Sequence, residues 1–136
     1  MKFKYTFLLF AWFISSSLSH ASDFDSLSEL IQKGKETEAI AKINRYIQKY
    51  PNDPEVKFIY GATLYHFGRT QEAKKVFLHL NRKYPNNPTI KNNLGVLYAK
   101  LGEYSAAYIF FGSALRLKPN YQEAKNNQWL VQQKIN

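Results

Sequence analysis

The 136-residue sequence contains no cysteine, which excludes a disulfide frame, a thiolate metal site and a cysteine nucleophile. Its stability must come from packing. Histidine is scarce: His20 lies near the start, and His66 and His79 have no ligand-spaced His, Asp or Glu beside them, so both read as solvated or packed side chains rather than metal ligands. The carboxylates are few, and Glu36 and Glu38 in "KGKETEA" fall at the start of a helix, where the helix dipole accounts for them without catalysis. There is no glycine-rich phosphate loop, no Gly-x-Ser-x-Gly and no His-Glu-x-x-His. These absences point to a chain that is not an enzyme, with no catalytic residue, no metal and no cofactor.

What is present is apolar: 45% hydrophobic and 16% aromatic residues suffice for one folded domain with a modest core. Lys and Arg number 19 against 10 Asp and Glu, a formal charge of +9 that directs attention to nucleic acid or an anionic surface. The first residues, "MKFKYTFLLFAWFISSSLSHA", decide between these. Lys2 and Lys4 precede an uncharged apolar run from Tyr5 to Ile14, and Ser19-His20-Ala21 closes it with a small-x-small ending, the layout of a secretory signal peptide over residues 1–21. Ten apolar residues fall short of the roughly 20 needed to span a bilayer, which disfavours the alternative of an uncleaved N-terminal anchor. Cleavage after Ala21 leaves 115 residues and removes two lysines, lowering the charge from +9 to +7.

An exported protein is not expected to meet nucleic acid. The basic balance then suits an anionic envelope component, or simply a solubilising surface. No Asn-x-Ser/Thr sequon free of proline occurs, and together with the missing disulfides this favours a bacterial periplasm over an extracellular eukaryotic setting.

The remaining chain repeats itself every 34 residues. Pro51, Pro85 and Pro119 keep this step, as do Gly34, Gly68 and Gly102, and Ala39, Ala73 and Ala107; Phe77 and Phe111, Gly61 and Gly95, and Pro54 and Pro88 follow it as well. Between Pro54 and Phe67 the positions Val56, Ile59, Tyr60, Thr63, Leu64 and Phe67 have the three-and-four spacing of an amphipathic helix, and Gly68 ends it. A second helix is expected over about 70–84, with Ala73, Val76, Phe77 and Leu80 on one face and Pro85 closing it. Glycine inside a helix costs about 1 kcal/mol relative to alanine, so Gly61 and Gly95 imply a partner helix passing too close for a side chain.

This pattern resembles the tetratricopeptide repeat. Leu94-Gly95, Tyr98, Ala107, Phe111 and Pro119 reproduce its leucine-glycine, tyrosine, alanine, phenylalanine and proline, and Tyr60-Gly61, Leu64, Ala73, Phe77 and Pro85 form the copy before it. The first copy is degraded, with Ala39, Ile43 and Pro51 in register but Ser26-Leu27 in place of leucine-glycine. Lys57 and Lys91 stand where the family has an early tryptophan.

The resemblance implies an all-α fold, an α-solenoid of antiparallel helix pairs in a right-handed superhelix, over residues 22–136. Three repeats occupy about 22–52, 53–86 and 87–120, and a capping helix 121–136. In the cap, polar residues such as Gln122, Lys125 and Gln133 face water, and Trp129 occupies the place of Gly61 and Gly95, a space left open where no further helix follows.

In this family the first helix of each pair lines a concave groove that holds a peptide or a partner's helix. Carried over by position, the groove is lined by Phe24, Ser28 and Ile31, then Phe58, Ala62, Tyr65 and His66, then Asn92, Val96, Ala99 and Lys100, with Asn126, Leu130 and Gln133 from the cap. One family subtype grips a C-terminal carboxylate with lysine, arginine and asparagine. Only Asn93 matches it here, with Phe58, Ala62, Glu123 and Asn127 at the other positions. The expected function is a non-enzymatic protein-interaction module, an adaptor or assembly factor of the bacterial envelope whose partner is a protein or peptide. Binding of an anionic glycan or lipid is the alternative, and self-association suits so short a stack.

Overall fold

The computed structural model describes residues 21–136, which form seven helices and, among the described residues, no strand. They are α1 (Ala21–Gln32), α2 (Glu36–Lys49), α3 (Pro54–His66), α4 (Thr70–Lys83), α5 (Pro88–Lys100), α6 (Tyr104–Leu117) and α7 (Gln122–Ile135). The stretch read as a signal peptide lies outside the described residues except for Ala21, which opens α1. No described helix is long and apolar enough to cross a membrane.

The punctuation that recurs in the sequence sets the helix ends. Gly34, Gly68 and Gly102 each follow the first helix of a pair and have φ of +70°, +79° and +80°. At the last of these, the Gly102 amide donates to the Ala99 carbonyl and the Glu103 amide reaches back to Tyr98 O at 2.9 Å, closing carbonyls that the helix end leaves open. Pro51, Pro85 and Pro119 lie just beyond α2, α4 and α6, where a residue without an amide hydrogen cannot extend the helix. Pro54 and Pro88 are first residues of α3 and α5. There the fixed φ suits a helix start, and Asp53 Oδ1 and Asn87 Oδ1 accept from the Glu55 and Ile90 amides at 2.8 and 3.0 Å.

The chain divides into two compact units, with the boundary between Val76 and Phe77 inside α4. In the first, Phe24 and Leu27 of α1, Ala39 and Ile43 of α2 and Val56 of α3 form one core, and Tyr46, Tyr50, Ile59 and Tyr60 pack against it. Leu27 holds the register position that Gly61 holds one repeat later, and its side chain is buried, 2% exposed, in that core. Arg69 closes the α3–α4 turn on the surface. It forms two 2.7 Å bonds to the Glu72 carboxylate and lies 3.9 Å from Glu36, and such exposed pairs add little to stability because water screens them.

The second unit is built on the contact that the internal glycine implies. A Cβ on Gly95 would stand 2.4 Å from Phe111 Cε1, so α5 and α6 approach to a distance that only glycine permits. Phe111 is fully buried with Ala107, Ala114, Leu94 and Leu97, and such a phenylalanine contributes roughly 1.5–3 kcal/mol by leaving water. Helix α7 packs on both α5 and α6. Tyr121, Ala124 and Ala114 form a small core at its start, with the Lys118 ammonium 4.7 Å from the centre of the Tyr121 ring.

Candidate functional site

The positions carried over as groove-lining separate into an interior set and a surface set. In the first unit, Phe24 lies edge-on to Tyr46 with ring centres 5.7 Å apart, and it belongs to the core. Ser28 and Ile31 are partly exposed, Phe58 and Ala62 are buried, Tyr65 is half-buried and His66 is exposed at the end of α3. Burial pushes the Tyr65 phenol above its ordinary pKa, so the side chain is a neutral hydroxyl across the physiological range. His66 stands edge-on to Phe67, ring centres 5.1 Å apart.

In the second unit, Asn92, Val96 and Ala99 are buried, Lys100 is exposed, and on α7 Asn126 and Gln133 are exposed with Leu130 partly so. Asn126 accepts from Gln122 Nε2 at 2.9 Å.

Phe24, Phe58, Ala62, Asn92, Val96 and Ala99 are therefore interior residues here, not the exposed aromatics and amides that the positional carry-over expects. The reason is local. A first helix packed against a neighbouring pair as well as its own partner is covered around most of its circumference, as α5 is by α6 and α7. Asn93, the one position shared with the carboxylate-gripping subtype, is also fully buried. The positions that reach solvent are Ser28, Ile31, Tyr65 and His66 in one unit, and Lys100, Asn126, Leu130 and Gln133 in the other.

Two features escape a positional reading. Asn127 Nδ2 donates to Asn92 Oδ1 at 3.1 Å, a buried amide pair that ties α7 to α5. Tyr108 and Ile109 on α6 and Trp129 on α7 are 38%, 63% and 61% exposed. Between those helices runs a shallow groove lined by Tyr108, Lys125, Gln128, Trp129 and Gln132. Its signal lies in the repeat itself, since Tyr108 and Ile109 hold the places that Lys74 and Lys75 hold one repeat earlier. Among the described residues no three His, Asp or Glu side chains gather as a metal site would require.

The architecture is that of an all-α helical-repeat protein. Two family models of the tetratricopeptide repeat match, one over residues 55–87 and the other over residues 88–121, and the chain belongs to the tetratricopeptide repeat proteins.

Solved structures share the fold. The Sgt2 TPR domain from Aspergillus fumigatus superposes with a TM-score of 0.74 at 13% identity, covering 88% of this chain and 80% of that one. The first TPR of Spaghetti (RPAP3), bound to the HSP90 peptide SRMEEVD, gives 0.73 at 17% identity over 88% and 95%. YrrB, described as a TPR protein with an unusual peptide-binding site, gives 0.68 at 21% identity, covering 82% of this chain and 57% of that one. A search of curated proteins finds no match.

Proposed function

We propose that the chain is a non-enzymatic module that binds a protein or peptide partner through its first-helix faces, and that it works as an adaptor or assembly factor in a bacterial cell envelope. The observation that carries this reading is the set of first-helix positions that stay open while their neighbours are buried, Tyr65 and His66 above all. A half-buried tyrosine beside an exposed imidazole offers an apolar face and hydrogen-bonding groups without chemistry of its own, as a peptide contact requires. Two fold neighbours support it: one is bound to an HSP90 peptide, and another is described by its peptide-binding site. The envelope setting rests on the basic, apolar and small-residue order of residues 1–21.

Affinity purification of the tagged full chain from the envelope fraction of its native host tests the reading, with recovery compared at 50 and 200 mM salt. A discrete protein partner should be retained at both salts and lost from a Tyr65→Ala/His66→Ala variant. Recovery of glycan or lipid that falls steeply with salt, unaffected by that variant, would instead place the function on the basic exterior.

A further inference from the structure

Leu27, Gly61, Gly95 and Trp129 share one register position, and at Leu27 and Gly95 it packs with the second helix of the same repeat. Leu27 is buried in one core with Ala39 and Ile43 of α2, and Gly95 lies against Phe111 of α6. Helix α7 stands in the register of a first helix and is the last helix among the described residues. Trp129 is accordingly 61% exposed.

The open face continues onto α6. Tyr108 and Ile109 replace the two lysines of the preceding repeat, and Gly112, one turn further on, leaves the backbone low enough that a Cβ there would meet only Gln128 Nε2, at 3.0 Å, and the end of Arg116. Tyr108 and Trp129 thus line one groove, and because the equivalent position of α5, Gly95, is covered by helix α6, a helix is the shape that suits this face.

The charge of this part of the chain selects the occupant. From residue 104 to the end the chain carries Arg116, Lys118, Lys125 and Lys134 against a single carboxylate, Glu123, and Lys125 itself lines the groove. A second copy would bring like charges together, whereas a helix with acidic flanks would meet opposite ones. We infer that the α6–α7 face, centred on Trp129 and Tyr108 and bordered in sequence by the exposed Ile109, docks an amphipathic helix of another protein, apolar on one side and acidic along its edges. Neither Tyr65 nor His66 lines this groove, so a variant of that pair leaves the groove's own side chains unchanged.

The probe is a synthetic 14-residue amphipathic peptide with alanine and phenylalanine four apart, as at Ala107 and Phe111, and glutamates on its flanks. A counterpart with lysines at those flanks is the control. Calorimetric titration of each into the full chain should show saturable binding of the acidic peptide, at least tenfold weaker binding of the basic one, and at least a tenfold loss with Trp129→Glu or Ile109→Glu. Both variants alter exposed side chains, so their helical circular dichroism should match that of the parent chain. Tyr65→Ala/His66→Ala should bind the acidic peptide as the parent does.

Absence of saturable binding overturns the inference, as does equal binding of both peptides or binding indifferent to residues 109 and 129. Sedimentation showing a dimer that Trp129→Glu dissolves would assign the face to a second copy instead, and Trp129-dependent binding to anionic vesicles without peptide binding would assign it to a membrane surface.

Discussion

Asn127 Nδ2 donates to Asn92 Oδ1 across 3.1 Å in the interior of the second unit, and both side chains are fully buried. The remaining Asn92 amide hydrogens are also buried and have no partner among the described residues. Replacing Asn127 by alanine leaves a buried carbonyl oxygen unsatisfied and should cost about 1–3 kcal/mol. Substituting leucine at both positions should cost less than the single change, because the Asn92 carbonyl oxygen is then no longer stranded. Urea unfolding of the two single variants and the double variant reads the coupling directly. Additive losses would mean that the amide pair is not a unit.

The two helical glycines of the second unit should respond in opposite ways to alanine. At Gly95 the new Cβ meets the Phe111 ring at 2.4 Å, and overpacking of this kind costs about 1–3 kcal/mol, more than the ~1 kcal/mol gained in helix propensity. At Gly112 the nearest atom, 3.0 Å away, is the end of the flexible Gln128 side chain, which can move. Gly112→Ala should leave the thermal midpoint unchanged or raise it, while Gly95→Ala lowers it.

Gly102 tests the punctuation. Its φ of +80° places any side chain in the left-handed region, and nothing lies within 4 Å of a Cβ built there, so the cost of Gly102→Ala is conformational alone, about 1–2 kcal/mol. A loss of that size at Gly102, with none at Gly112, would separate backbone strain from packing in one pair of melting curves.

That contrast also shows which parts of the structure the sequence discloses. Helix ends are legible because single residues cause them: a glycine that takes positive φ, a proline that lacks an amide hydrogen. The 34-residue step repeats those causes, and the seven helices follow. Surface and interior are less legible, because burial depends on how many neighbours a helix acquires. Phe58 and Val96 occupy groove positions by count yet are 1% and 0% exposed. The α6–α7 strip is visible only when the third repeat is set against the second, lysine pair against Tyr108-Ile109. The polarity of α7 conceals it, with amides surrounding Trp129.

Tyr121 predicts a loss of stability in alkali. Burial pushes its phenol from an ordinary 10.0 up to about 12. Below pH 10 the hydroxyl is protonated in folded and unfolded chains alike, and its contribution is fully present. As pH rises from 10 toward 12 the unfolded chain ionises first while the folded chain retains the proton, so stability falls across that window. Tyr121→Phe should flatten the decline between pH 10 and 12, and chemical unfolding in that range measures it. An unchanged slope would mean that the phenol titrates normally in the fold.

The central claim is that the open first-helix positions are the working surface. Photo-crosslinking in the native host tests it most directly, with the reactive residue placed in turn at Tyr65, at His66 and, as a control, at the exposed Lys75 of α4. The account predicts one discrete protein adduct, shared by positions 65 and 66 and absent at 75. Equal labelling at all three positions, or heterogeneous glycan and lipid adducts alone, would contradict it.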